Sequence, residues 1–397
     1  MKKRKNRIPK NELERMGISR SQLNSLWLIA KLTKLDIEDL WKAYKLVEER
    51  TKDLPYKGME KTGKKRRWIS IPHPILMKVQ KSINRCILSE IVKVPPNIFG
   101  FSGGKGGTIT AIKLHLKLEK PRELICWDVK SAFNSVTGEE VYKALKKKLA
   151  RWSELKETVE NGEKKNSARA MAKMICWLCT FNFDRVPYEI WGEEGSRPDS
   201  LKLNYLPQGA PTSPRLFDLV FRKIDERLIR LTENINKTKD ITKGSKPKAV
   251  YSRYADNIFF SVVNKIPGKI ERAIPRDIIY LNHKRNQDTK GPDTLGQPYF
   301  KLHHFRKFQI PTKRPIRILG MNIIGDKLFV PRELKRKMRM TIYNLKKAEE
   351  NGSDPFPIEQ RLSGQFAWAE QGNIPKDLRI QCKKILENKR RDDFREF

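Results

Sequence analysis

Two aspartates stand far apart in the sequence, each beside an apolar run. Asp128 lies near the end of the run 123–129, and Asp256 lies inside the segment 249–263. Hard divalent cations take oxygen ligands, so two carboxylates converging from distant parts of a chain can hold such ions. Two ions about 3.5–4 Å apart suit phosphoryl transfer: one lowers the pKa of an attacking hydroxyl, and the other neutralises a triphosphate. Taken alone, each aspartate reads first as a solvated turn residue, because turns favour Asp.

Two other groupings are weaker. Cys176-Trp-Leu-Cys179 has the spacing of half a zinc site, but no second Cys/His pair lies nearby and the stretch 174–181 is apolar. Core packing is the simpler reading. Gly100-Phe-Ser-Gly-Gly-Lys-Gly-Gly107 is glycine-rich, yet Lys105 is followed by Gly106. The phosphate-loop pattern needs Ser or Thr there, which leaves a flexible connector.

The elements that must position these residues follow from periodicity. Residues 1 to about 50 read as helical, with Leu23, Leu26, Ile29 and Ala30, then Leu40, Ala43, Tyr44 and Val47, at three- and four-residue spacings. A basic polar stretch covers 51–67, and residues 68–72 form a strand stopped by Pro72. Residues 77–92 return to helical spacing, and 123–129 is a strand. Thr137 with Glu140 predicts a capping box, and Val141, Leu145 and Leu149 line the helix behind it. Ser213-Pro214 opens a further helix carrying Phe217, Val220, Phe221, Ile224, Leu228 and Leu231. Residues 249–263 predict a hairpin turning at Asp256-Asn257, since Asn tolerates the left-handed conformation of a tight turn. Residues 316–330 predict a second hairpin turning near Gly325, and 236–248 and 282–297 read as polar loops. From Pro331 onward the pattern is helical and basic.

Composition restricts the partners. The chain has 397 residues, with 84 Lys and Arg against 46 Asp and Glu, a formal net charge of +38. A cation of this size attracts phosphate backbones, and its basic residues run from Lys2 to Arg395 rather than forming one tail. The five cysteines are odd in number and the chain is long, which argues against a disulfide framework. The basic N-terminus has no apolar signal core behind it, and no run approaches the ~18 apolar residues of a membrane span. The expectation is a cytoplasmic protein in a reducing compartment, with no membrane partner.

The sequence Trp127-Asp-Val-Lys-Ser-Ala-Phe-Asn-Ser-Val136 is followed by Leu206-Pro-Gln-Gly-Ala-Pro-Thr-Ser-Pro214 and Tyr251-Ser-Arg-Tyr-Ala-Asp-Asn-Ile-Phe-Phe260. In that order they resemble palm motifs A, B and C of reverse transcriptases. The middle segment is most similar to bacterial retrons and related antiphage enzymes. Arg67-Trp-Ile-Ser-Ile-Pro72, with Gln80 beyond, and Gly100-Phe101 resemble the fingers motifs. Ile318-Leu-Gly-Met321 resembles a primer-grip hairpin, and Leu362-Ser-Gly-Gln-Phe-Ala-Trp368 part of a thumb.

The resemblance implies an α+β right-hand polymerase. Its parts would be an N-terminal helical region (1–54), fingers (55–120), a palm with an antiparallel sheet (121–325) and a helical thumb (326–397). It implies RNA-directed DNA synthesis with two Mg²⁺ ions, or Mn²⁺, held by Asp128, Asp256 and the Val129 carbonyl, with Asn257 beside them. Phe133 takes the steric-gate position that favours dNTPs. Ser131, Ala132, Gln208 and Gly209 would lie along the incoming nucleotide, and Lys65 and Arg67 would meet its triphosphate; Arg suits bidentate phosphate contact. Lys307 stands where the family often has a lysine that protonates pyrophosphate, although a backbone-phosphate contact fits it as well. Tyr254, Ala255, Leu319 and Gly320 would face primer and template. The implied partners are an RNA template, a dedicated noncoding RNA being one candidate, the DNA product and dNTPs. An accessory protein or a second copy of the chain stays open, and the implied setting is bacterial antiphage defence.

The chain departs from the family pattern at three places. Asn257 replaces the second aspartate of motif C, which removes a negative charge and should weaken metal binding. Ala111-Ile-Lys-Leu-His115 keeps the His of a retron element and lacks its Asn. Ile318-Leu-Gly320 stands where retrons carry Val-Thr-Gly. Two rival readings follow: a degenerate RNA-binding scaffold with a polymerase fold, and a template-independent or protein-primed DNA polymerase. For the second, Tyr44, Tyr56 and Tyr343 look ordinary.

Overall fold

The computed structural model describes residues 20–49, 55–61, 67–101, 107–158, 164–181, 204–237, 248–275 and 301–393. The N-terminal helical expectation resolves into α1 (Arg20–Thr33) and α2 (Ile37–Glu49). They separate at Lys34, whose φ is +57°, and Asp36 then accepts a hydrogen bond from the Glu38 N–H. Leu26, Ile29, Leu40, Ala43 and Val47 enter the core.

β1 (Tyr56–Lys61) and β2 (Arg67–Pro72) pair antiparallel, Tyr56 against Pro72. The first strand corrects the polar-stretch reading of 51–67; its lysines and glutamate mask the alternation. α3 (Pro74–Ile83) starts with Pro in its first turn, where the missing N–H costs nothing. It runs into a π-helical turn, Asn84–Leu88, where continuous helical spacing was expected. Next come β3 (Ile98–Phe99), α4 (Thr108–Leu116), β4 (Arg122–Lys130), α5 (Gly138–Leu149), α6 (Ser153–Thr158), α7 (Lys164–Cys179) and α8 (Ser213–Asn236). The capping box at Thr137 and Glu140 is present.

β5 (Ala249–Tyr254), β6 (Asn257–Val263) and β7 (Lys301–Ile310) complete a five-stranded sheet in the order β3-β5-β6-β4-β7. Its pairs are antiparallel except β3 with β5. Beyond it lie β8 (Thr312–Ile318), β9 (Met321–Gly325), β10 (Lys327–Phe329), α9 (Arg332–Glu350), α10 (Phe356–Ala369) and α11 (Lys376–Asp393). The second hairpin is a three-stranded meander rather than a single turn near Gly325: β8 and β9 turn at Leu319-Gly320, and β9 and β10 at Gly325-Asp326. Positive φ at Leu319 and Gly320 suits a two-residue hairpin turn. The polar loop 282–297, most of 236–248 and the glycine run 102–106 lie outside the described residues.

The sheet is covered on both faces. Ile125, Trp127, Val129, Ile258 and Phe260 face a core shared with α5, α7 and α8. Leu124, Cys126 and Phe259 face a second core built from α4, the meander and the C-terminal helices. No helix among the described residues is long and apolar enough to cross a membrane.

Candidate active site

The two aspartates meet through the backbone. On β4, Asp128 lies opposite Asn257 of β6. The Val129 N–H donates to the Asp256 carbonyl at 3.1 Å. Both aspartates are half-buried. The Asn257 amide donates to Asp256 Oδ1 at 2.9 Å. Alternation along β4 puts Asp128 on the sheet face of Leu124 and Cys126. The donor chemistry fits a hard cation: two carboxylates and a neighbouring main chain, all oxygen donors. No cluster of three or more His, Cys, Asp or Glu is found among the described residues.

The turn carrying Asp256 differs from expectation by one residue. It is Ala255-Asp256, with Ala255 at φ +55°, while Asn257 already belongs to β6. The tip is held from several sides. The Ala255 N–H donates to the Phe99 carbonyl at 3.0 Å, and the Ala255 carbonyl accepts from Arg253 Nη1 at 2.6 Å. A Cβ on Gly100 would sit 3.0 Å from the Ala255 nitrogen, so β3 approaches the tip closely because this residue is glycine.

Arg253 is fully buried. Its Nε and Nη2 meet Asp225 at 2.8 Å each, and Nη2 also meets Asp218 at 2.8 Å. Tyr251 donates to Asp225 at 2.6 Å. Burial alone would lower the Arg253 pKa, but Asp225 and Asp218 outweigh it and hold the guanidinium charged. This cluster escaped the motif reading. Its signal was present: Asp218 and Asp225, seven residues apart, ride beside the apolar stripe of α8.

The other expected residues gather unevenly. Ser131, at φ +49°, and buried Ala132 lie in the turn leaving β4. Phe133 packs against Phe101 (ring centroids 5.1 Å apart) and Phe217 (5.9 Å). The Gln208 carbonyl accepts from the Ser70 N–H at 2.7 Å, which docks the 207–209 turn on β2. Gly209 has φ +121°, and a Cβ there would lie 2.7 Å from Ile69 Cγ2 and 2.8 Å from the Ser70 carbonyl oxygen. Tyr254 and Leu319 join the second core. Trp368 of α10 packs on Gly320, at 3.3 Å from a Cβ placed there. Lys65 and the Arg67 side chain lie outside what is described. Lys307 is not brought to the aspartates. It pairs with Ile125 on the other face, and its ammonium contacts Glu271 at 2.6 Å and Glu123 at 3.3 Å. The cysteines are packing residues: burial pushes Cys176 up to about 11 and Cys179 to about 12, so both stay protonated thiols.

Residues 57–275 match the family described as reverse transcriptase (RNA-dependent DNA polymerase). The chain belongs to that family. Members of this reverse transcriptase family generally depend on a divalent metal. The fold is accordingly an α+β right-hand polymerase fold. Among curated proteins, the chain is 24% identical over 369 residues to the retron Mx162 reverse transcriptase of Myxococcus xanthus, covering 91% of this chain and 66% of that protein. It is 30% identical over 168 residues to the retron Ec73 reverse transcriptase of Escherichia coli, covering 42% of this chain and 44% of that one. It thus spans just under two thirds of the first relative's length and less than half of the second's. Among solved structures, an apo telomerase from Candida tropicalis aligns at TM-score 0.40 and 11% identity, covering 69% of this chain and 55% of that one. A Candida albicans telomerase complexed with a telomeric RNA fragment aligns at TM-score 0.40 and 10% identity, covering 80% and 55%.

Proposed function

We propose that this reverse transcriptase family member is an RNA-directed DNA polymerase that extends a 3′ hydroxyl with dNTPs. The observation that carries the reading is the pairing of Asp128 with the Asp256 turn across β4 and β6. Asp128, Asp256 and the Val129 carbonyl would hold two Mg²⁺ ions. When bound, such ions supply a more acidic attacking hydroxyl and charge neutralisation at the triphosphate.

The chain's own residues do the rest. Phe133, braced by Phe101 and Phe217, crowds the position of a ribose 2′ hydroxyl. Gln208 and Gly209, docked on β2, form the floor under the incoming nucleotide together with Ser131 and Ala132. Arg67, with Lys65, meets the triphosphate. Tyr254, Ala255, Leu319 and Gly320 face primer and template. Lys307 is engaged by two glutamates and takes no part in pyrophosphate departure in this reading. The five-stranded sheet serves as palm, the β1–β2 hairpin as fingers and the helices from Arg332 as thumb. The retron relatives and the charge of +38 support an RNA template, a dedicated noncoding RNA in antiphage defence being the specific case.

The test is extension of a primer on an RNA template with Mg²⁺, with dNTPs in one reaction and NTPs in another. DNA product from dNTPs supports the reading. RNA binding without any product favours the scaffold reading that Asn257 raises. Protein-linked product favours protein priming, for which Tyr44 and Tyr56 are buried and Tyr343 is exposed.

A further inference from the structure

The buried cluster around Arg253 ties β5 to α8 and reaches the turn beyond β5 as well. Its cost is high: a guanidinium with no exposure needs near-complete pairing, and a buried ion pair is on balance about as stabilising as well-packed apolar groups. Phe217 and Phe221 flank it, their ring centroids 5.5 Å and 4.9 Å from Arg253 Cζ. An apolar side chain would take the guanidinium away from Asp218 and Asp225 and also from the Ala255 carbonyl, which no other side chain among the described residues bonds.

Ala255 holds a left-handed φ of +55° without being glycine, a conformation unfavourable for an L-residue. Such a conformation persists only where its surroundings over-determine it. Here the Ala255 N–H is tied to Phe99, its carbonyl to Arg253 Nη1, and the next carbonyl, that of Asp256, to Val129. The Arg253 fork is fixed in turn by Asp218 and Asp225, two turns apart on one face of α8.

We propose that Arg253, clamped by Asp218 and Asp225, is a positioning residue that sets the Ala255-Asp256 turn and so keeps Asp256 opposite Asp128. α8 opens at Ser213, with three residues between it and the Gln208-Gly209 turn. One helix therefore follows the nucleotide floor in the chain and locks the carboxylate turn through its second and fourth turns. The proposal rests on the polymerase reading above for its effect on catalysis, but not for its effect on the turn.

The experiment compares three variants with wild type. Arg253→Lys keeps a cation beside both aspartates and loses the fork that reaches Ala255. Tyr251→Phe removes a bond to Asp225 and leaves that fork in place. Asp218→Asn weakens the clamp without removing Arg253, and stands in if Arg253→Lys does not fold. Amide exchange at Val129 and Ala255 is read together with steady-state extension. Expected for Arg253→Lys is exchange at both amides faster by about tenfold. kcat should fall about tenfold to a hundredfold, with dNTP KM and RNA affinity nearly unchanged. Asp218→Asn shows the same pattern more weakly. Tyr251→Phe lowers the melting temperature while both readouts stay at wild type. Losses of activity that merely follow melting temperature across the variants, with exchange at Ala255 unmoved, would overturn the proposal. So would an Arg253→Lys protein with wild-type kcat. If wild type makes no DNA at all, the polymerase reading fails, and the exchange arm still decides whether Arg253 holds the turn.

Discussion

Asp128 and Asp256 come together because a main-chain bond from Val129 fixes one strand against the tip of the other. Their neighbour Asn257 gives Asp256 a hydrogen bond in place of a second negative charge. In Asn257→Asp a carboxylate returns and that donor is lost. Attraction for a divalent ion outweighs one half-exposed hydrogen bond, so synthesis persists and half-maximal activity is reached at lower Mg²⁺, as a Mg²⁺ titration will show. Gly209→Ala is the severe case. Its Cβ would press on the backbone of Ser70 at an unfavourable φ, and stability should fall by about 1–3 kcal/mol in denaturant titration, with a raised dNTP KM. Phe133→Ala should relax discrimination against NTPs by about tenfold or more, read from competing incorporation. Lys307→Met should leave extension rates unchanged, because its ammonium is spent on Glu271 and Glu123.

At the scale of elements, α4 is fastened to the sheet by a neutral histidine. His115 is buried between Ser261 (2.6 Å) and Ser252 (2.8 Å), and burial with nearby Arg122 brings its pKa down to about 3. The unfolded chain takes up this proton near the ordinary value of 6.5, while the folded chain resists it until about 3. Below the unfolded value the unfolded state therefore binds more protons. Stability falls with decreasing pH by up to about 1.4 kcal/mol per unit through that window. In His115→Gln the part of the acid sensitivity due to this group should vanish, as melting curves at pH 7 and pH 5 will show. Much of this scale was legible in the sequence. The capping box at Thr137, the Ser213-Pro214 helix start and the strand carrying Asp128 depend on local chemistry, and they stand where periodicity put them. Other features depend on tertiary contacts. The turn fell on Ala255-Asp256 rather than Asp256-Asn257 because Arg253 and Phe99 hold an alanine left-handed against its preference. The strand Lys301–Ile310 hid behind its charged and polar residues, since it gains its place by pairing with β4. The turn at Leu319-Gly320 was passed over for Gly325, although both positions turn the chain.

The whole molecule carries +38 spread along its length, and that charge bears on partners rather than on fold. An RNA–DNA hybrid would be gripped by backbone and shape. If 6–10 phosphates are contacted, affinity for RNA should drop by about 10³–10⁵ between 50 mM and 200 mM salt, which a binding titration at several salt concentrations checks. The central claim concerns the two aspartates in this basic frame, and the most direct measurement compares Asp128→Ala and Asp256→Ala with wild type in RNA-templated DNA synthesis, with RNA affinity measured on the same preparations. The account predicts that both variants bind RNA as wild type does and make no DNA. Extension at the wild-type rate by either variant would contradict it.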